Sequence, residues 1–168
     1  MTQPHPDIPG MTVNCAVITV SDTRSPQTDK SGQVIGELLQ DAGHTMGMYA
    51  IVKDEPELIQ AQMETLALRL DLDAVIFNGG TGIAPRDTTY DAIASRLEKT
   101  LPGFGELFRW PSYQQIGSRA IASRAIAGVY QKKLFFSLPG STNAVQLAMQ
   151  KLILPELNHL VNQLRQAP

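Results

Sequence analysis

What the chain lacks narrows its function before any motif is read. Its only cysteine is Cys15, so neither an intramolecular disulfide nor a cysteine cluster for zinc can form. Cys15 sits inside the apolar run VNCAVITV, where it reads as a small packed hydrophobe rather than a nucleophile. Charged residues net only -2 and form no basic stripe, which argues against a nucleic-acid partner. No lysine- or arginine-rich amphipathic helix suggests a membrane surface, and no apolar run approaches the ~20 residues of a membrane span. The amino terminus, MTQPHPDIPGM, lacks the charged-then-apolar pattern of a signal peptide, so the expected location is cytoplasmic.

Several catalytic signatures are missing as well. The histidines His5, His44 and His159 are scattered without metal-ligand spacing and read as surface or packing residues. There is no Walker G-x-x-x-x-G-K-[ST] sequence, and no G-x-G-x-x-G follows the first expected strand. These absences argue against a common ATPase and a standard NAD dehydrogenase. Ser21, Ser137 and Ser141 have no G-x-S-x-G surroundings, which weakens any serine-hydrolase reading.

What remains is a chain of 168 residues, 43% of them hydrophobic, which is enough for one buried core. Residues 1–11 read as a flexible leader and residues 12–168 as one domain. The continuous apolar, β-branched run VNCAVITV (13–20) predicts a strand covered on both faces, and MGMYAIV (46–52), DAVIFN (73–78) and KKLFFSL (132–138) predict further strands. Helical patterns separate them: residues 32–43, closing at Gly43, then 56–70, 88–99 and 143–153, with a last amphipathic helix to the carboxyl end. Thr88 with Asp91 three residues on has the form of a capping box. PGFGELFRWPSYQQIG (102–117) is aromatic-rich and broken by proline and glycine. Its Phe104, Phe108, Trp110 and Tyr113 read as core or subunit contacts. A short near-repeat, SRAIASRAIA, follows; it is too short to imply a solenoid.

Alternating strands and helices predict an α/β fold with a mostly parallel sheet covered on both sides. Ligands bind such sheets beyond the carboxyl ends of the strands. The loops there would be SDTRS (21–25), KDE (53–55), NGGTG (78–82) and PGST (139–142), all gathered on one edge. In NGGTG, Gly79, Gly80 and Gly82 let backbone N–H groups approach an anion, and Thr81 adds a hydroxyl. Gly140 and Ser141 repeat the idea before a helix whose amino end favours negative charge. Together the loops point to phosphate. Asp54 and Asp87 then read as oxygen ligands for magnesium, which commonly uses one or two carboxylates plus substrate phosphates. Helix capping for Asp87 and a solvated surface acid for Asp54 are the bland alternatives. Arg24 and Arg86 could neutralise phosphate charge, although exposed arginines are usually only solvated.

NGGTGIAPRDTTYDAI, with VITVSDTRS and DKSG upstream, the VKDE turn, PGFGELFR and the late LPGST, resembles the MoaB/Mog family of molybdenum-cofactor biosynthesis proteins. The resemblance runs from about Val13 to Leu157, and the QIGSRAIASRAIAG segment is similar to the MoaB branch. It implies a three-layer α/β/α sandwich like the molybdopterin-binding domain, assembled as a homotrimer or hexamer. It also implies binding of molybdopterin and adenylylation of its terminal phosphate with Mg-ATP, in company with other molybdenum-cofactor biosynthesis proteins. On that resemblance the glycine loop 79–82 and Ser141 would hold ligand phosphate. Ser21 and Asp22 would line the pocket, and Asp54 and Asp87 would be the acidic, magnesium-handling pair. The family's loop often has proline where this chain has Tyr90, a change expected to affect the start of the helix more than ligand chemistry. Two other readings stand beside the enzyme. One is a non-catalytic molybdopterin carrier; the other is a CinA-type domain, whose chains normally continue into a further domain.

Overall fold

Runs of β-branched and apolar side chains build the centre of the molecule, and short polar loops return the chain to it. The structure is a computed structural model and describes residues 10–166. His5 and all but the last two residues of the expected leader lie outside the described residues. The elements follow as β1 (Asn14–Val20), α1 (Lys30–Asp41), β2 (Thr45–Val52), α2 (Pro56–Ala67), β3 (Ala74–Asn78), α3 (Thr89–Ala94) and β4 (Lys99–Thr100). They continue with α4 (Pro102–Ile116), a 3-10 turn (Gly117–Ala122), β5 (Ile126–Tyr130), β6 (Lys133–Leu138), α5 (Thr142–Ala148), a π-helical turn (Met149–Ile153) and α6 (Leu154–Gln166).

One mixed sheet results, in the order β2-β1-β3-β6-β5-β4. The pairs β1–β2, β1–β3 and β3–β6 are parallel, while β5 and β4 join antiparallel. Alternation along β1 feeds two cores. Cys15 and Val17 pack with α1, α4, α5 and α6, while Ala16, Ile18 and Val20 pack with α2 and α3. The result is the expected α/β/α sandwich, and the four predicted strands are the four parallel ones. Cys15 is fully buried, and burial pushes its thiol up to about 12, as a packing role requires. His44 is also nearly buried; desolvation lowers its pKa, and its Nδ1 accepts the Val13 N–H at 3.3 Å. No helix of the described residues is long and apolar enough to cross a membrane.

The helix expected over 88–99 stops at Ala94, and Lys99 belongs to the edge strand β4; three further elements depart from expectation, each for a local reason. The segment 102–116 is a continuous helix, not a broken one. Pro102 occupies its first turn, where no N–H is needed, and Pro111 forfeits one bond that packing outweighs. Gly105, Phe108 and Ser112 form its buried stripe, and Gly105 lies so close to the Ala125 carbonyl that a Cβ would come within 2.8 Å. The antiparallel strand β5 was not foreseen, because its two-residue turn to β6 is Gln131-Lys132. Both residues take positive φ, 45° and 62°, where asparagine and glycine are the usual signal. Finally, α5 and α6 run on through the π-helical turn, placed just before Pro155, whose missing N–H would interrupt an ordinary helix.

Candidate functional site

Because β1, β2, β3 and β6 are parallel, their carboxyl ends share one edge, and the chain leaves β1 and β3 there on opposite courses. That is the position at which open α/β sheets bind ligands. A cleft of about 500 Å³ opens there, walled by Ser21 and Arg24 after β1, the glycine loop after β3 with Asp87, and Pro139 and Gly140 after β6. Arg119 and Ser123 close its remaining side.

The glycines are required by geometry. Gly79 has φ of 102°, and a Cβ there would overlap the Val20 carbonyl oxygen. Gly80 has φ of 64° and lies against Asp54 and Thr89. Gly140 approaches Gly79 so closely that its Cβ would sit 3.0 Å from the Gly79 Cα, so the two loops meet backbone to backbone. Thr81, nearly buried, lines the cleft between them.

Beneath the cleft lies a polar floor built around the DKSG start of α1. Asp29 is fully buried and caps α1, accepting the Gly32 N–H at 3.1 Å. It also accepts from Thr19 Oγ1 at 2.5 Å, Tyr49 Oη at 2.7 Å and Ser31 Oγ at 3.0 Å. Burial alone would raise the Asp29 pKa, but these donations outweigh it and hold the carboxyl below its usual range. The same bond, with burial first, pushes the Tyr49 phenol up to about 12. Asn78, at the end of β3, donates to Thr19 Oγ1 at 2.9 Å and accepts from Ser31 Oγ at 2.8 Å. From this floor Arg24 rises: Nη1 pairs with Asp29 at 3.2 Å and donates to Ser31, while Nη2 donates to the Gly140 carbonyl at 3.0 Å. The guanidinium ties the loop after β1 to the loop after β6.

Of the residues singled out in the sequence, Ser21, Gly79, Gly80, Thr81, Gly82, Asp87 and Gly140 line this cleft. Ser21 Oγ accepts the Thr23 and Arg24 N–H groups at 3.2 and 3.1 Å, fixing the turn. Ser141 lines an adjoining groove instead and caps α5, accepting the Ala144 N–H at 3.3 Å. Asp22 and Arg86 form a two-bond ion pair at 2.8 and 3.0 Å, and Arg86 also meets Glu55 at 2.8 Å. The Arg86 hydrogen bond, foremost, keeps the Asp22 carboxyl below its usual range. Both residues stand outside the main cleft.

The two acids differ. Asp87 faces the cleft, with Oδ2 accepting the Ala84 N–H at 3.2 Å and Oδ1 accepting no bond among the described residues. Asp54 is nearly buried under the glycine loop. Its Oδ1 accepts from Thr88 N at 3.0 Å, Thr88 Oγ1 at 2.7 Å and Thr89 Oγ1 at 3.3 Å. The expected capping box at Thr88 is absent, since its hydroxyl serves Asp54 rather than the helix, and Asp91 pairs with Arg124 at 2.5 Å. No group of three or more His, Cys, Asp or Glu among the described residues could hold a metal. One open carboxylate oxygen suits an ion that travels with substrate phosphates, which needs only one or two carboxylates.

The groove beside the cleft measures about 790 Å³, runs between α4 and α5, and shares Ser123 and Pro139 with it. Gln115, Asn143, Gln146 and Gln150 line it. Amides offer both donors and acceptors, and Ile116 and Phe108 supply an apolar wall. Sequence reasoning missed this groove, along with Asp29, Asn78, Arg119 and Arg124. The DKSG start of α1 and the SRAIASRAIA near-repeat were the available signals.

Residues 16–159 match the family described as "Probable molybdopterin binding domain". The chain is 54% identical over 154 residues to molybdenum cofactor biosynthesis protein B of Halalkalibacterium halodurans, with 91% of each chain covered. A crystal structure of a molybdenum cofactor biosynthesis protein B superposes with a TM-score of 0.92 at 50% identity, covering 94% of this chain and 99% of that one. The tungsten cofactor synthesizing protein MoaB from Pyrococcus furiosus gives 0.80 at 36%, covering 92% and 98%. The chain therefore belongs to the molybdopterin-binding-domain family and, within it, to the MoaB branch.

Proposed function

We propose that this protein works in molybdenum-cofactor biosynthesis, binding molybdopterin and adenylylating its terminal phosphate with Mg-ATP. The observation that carries the reading is the meeting of the glycine loop, Gly140 and Asp87 in one cleft open at the sheet's switch point. The adjoining amide-lined groove supports it, because a pterin ring presents alternating donors and acceptors along one edge. Ring in the groove and phosphate at the glycine loop is the arrangement this favours, with Ser141 at the junction.

In the reaction, a terminal phosphate oxygen of molybdopterin attacks the α-phosphorus of ATP. A new P–O bond forms there, the bond to the bridging oxygen of the β-phosphate breaks, and pyrophosphate leaves with that electron pair. A phosphate monoester needs no deprotonation to attack, so the protein's task is to position two anions and offset their repulsion. Backbone N–H groups of residues 80–82 and the Thr81 hydroxyl hold phosphate oxygens, while the Gly79 N–H donates to the Leu138 carbonyl at 3.0 Å and Arg24 fixes the two loops at their separation. Magnesium brought with ATP would be held by Asp87 and would supply charge neutralisation on the phosphates. Asp54 acts with it by bracing the loop through Oδ1, and its Oδ2, which accepts no hydrogen bond among the described residues, is the oxygen that would meet the ion.

That hydrogen bonding of Asp54 favours one second reading, a molybdopterin carrier without turnover, since a single carboxylate then faces the cleft. The experiment measures molybdopterin affinity and pyrophosphate release for the wild type and Asp87→Asn. Release by the wild type that collapses in the variant, with affinity kept, supports the enzyme. Affinity without release in either protein supports the carrier. In the cell we place the protein in the cytoplasm, as a homotrimer or hexamer. Leu107, Trp110, Tyr113 and Ile116 of α4 and the nearby Ile121 are all exposed, which supports a subunit contact there.

A further inference from the structure

The near-repeat SRAIASRAIA sets Arg119 and Arg124 five residues apart, and the fold gives them opposite employment. Arg124 is engaged through both terminal nitrogens. Nη1 donates to the Gly82 carbonyl at 3.1 Å, Nη2 pairs with Asp91 at 2.5 Å, and the guanidinium lies 4.3 Å from the centre of the Tyr90 ring. It holds the glycine loop to α3 from behind. Arg119 lines the cleft itself and makes no hydrogen bond or ion pair among the described residues.

The other arginines near the cleft are occupied. Arg24 serves Asp29, Ser31 and Gly140, and Arg86 serves Asp22 and Glu55. Among the described residues, Arg119 is therefore the one cationic side chain lining this cleft whose donors are unengaged. Its backbone is also fixed in place. The 3-10 turn begins at Gly117, with φ of 63°, is pegged by buried Ala120, and closes with Ser123 N–H donating to the Ala120 carbonyl at 3.0 Å. Ala122 and Ser123 line the same cleft, so the turn forms one of its walls. A guanidinium offers five donors in a planar fork that can grip phosphate oxygens bidentately.

We propose that Arg119 binds the polyphosphate tail of the nucleotide, opposite the glycine loop that holds the acceptor phosphate. This rests on the adenylyltransferase reading above. It divides the site: backbone donors take the acceptor's single phosphate, and a side-chain cation selects a nucleotide carrying several. The leaving pyrophosphate then departs along the Arg119 wall.

The test uses inorganic tripolyphosphate as probe, with calorimetric titration of the full chain and of Arg119→Ala, Arg119→Lys and Lys99→Ala. Lys99 is an exposed cation on β4 and controls for net charge. The expected result is a loss of about tenfold or more in Arg119→Ala, partial recovery in Arg119→Lys, and little change in Lys99→Ala. In steady state, Arg119→Ala raises KM for ATP with kcat little altered. Binding within twofold of wild type in Arg119→Ala overturns the inference while leaving the adenylyltransferase reading intact. Equal losses in Arg119→Ala and Lys99→Ala also overturn it, as an effect of net charge alone. A wild type that binds no tripolyphosphate removes both.

Discussion

The Asp54 carboxylate accepts both the backbone N–H of Thr88, at 3.0 Å, and its hydroxyl, at 2.7 Å. A residue at the end of β2 thereby fixes the far end of the glycine loop. Asp54→Ala leaves those donors without a buried acceptor and is expected to cost about 2 kcal/mol of stability and to weaken molybdopterin binding. Asp54→Asn keeps an acceptor oxygen and should lose less. Denaturant unfolding of both variants checks this. An Asp54→Asn protein as stable as wild type but without turnover would instead place the carboxylate on the ligand.

Gly79→Ala separates two reasons for a glycine. Gly43 has φ of 81° with open space around it, whereas Gly79 combines φ of 102° with overlap on the Val20 carbonyl. Gly43→Ala should cost about 1 kcal/mol, from backbone conformation alone. Gly79→Ala should cost about 2–4 kcal/mol and displace the loop from Gly140, with loss of ligand affinity. Thermal unfolding compares them; equal losses would mean that close approach contributes nothing.

Asp29 predicts an acid limb in the stability profile. Its folded pKa lies below the unfolded value, so it stabilises the protein above the ordinary carboxylate pKa of about 3.9. That contribution disappears as pH falls through the folded value. Asp29→Asn should therefore be less stable at neutral pH, by about 2 kcal/mol, and the gap should narrow on acidification below pH ~4. Unfolding measured across that range checks it. A gap that is constant or widens toward low pH contradicts the assignment.

Strands β1 and β3 were legible because VNCAVITV and DAVIFN are buried on both faces and so read as continuous apolar segments, whereas β2 lies at the sheet edge, half-exposed, and was legible only because MGMYAIV is apolar. The cleft was legible through its glycines, whose positions no other residue suits. The antiparallel edge was not, since Gln131-Lys132 carries no hairpin signal, and α4 was hidden by Pro111. Side-chain direction was the other blind spot. The sequence places Asp54 and Asp87 at the ends of neighbouring loops, but which carboxylate turns toward the cleft depends on where Thr88 and Thr89 come to rest. The two arginines of the near-repeat likewise acquire different roles only through what the fold sets beside them.

Adenylylation would break the bond between the α- and β-phosphates of ATP, and labelled nucleotide reads that directly. Protein, molybdopterin and magnesium are incubated with ATP labelled at the α-phosphorus and, separately, at the γ-phosphorus. Adenylylation predicts that α-label moves onto the pterin while γ-label appears in pyrophosphate, in equal amounts, and that Asp87→Asn loses about a hundredfold or more of both. Molybdopterin bound with no label transferred from either nucleotide would contradict the account and leave a carrier.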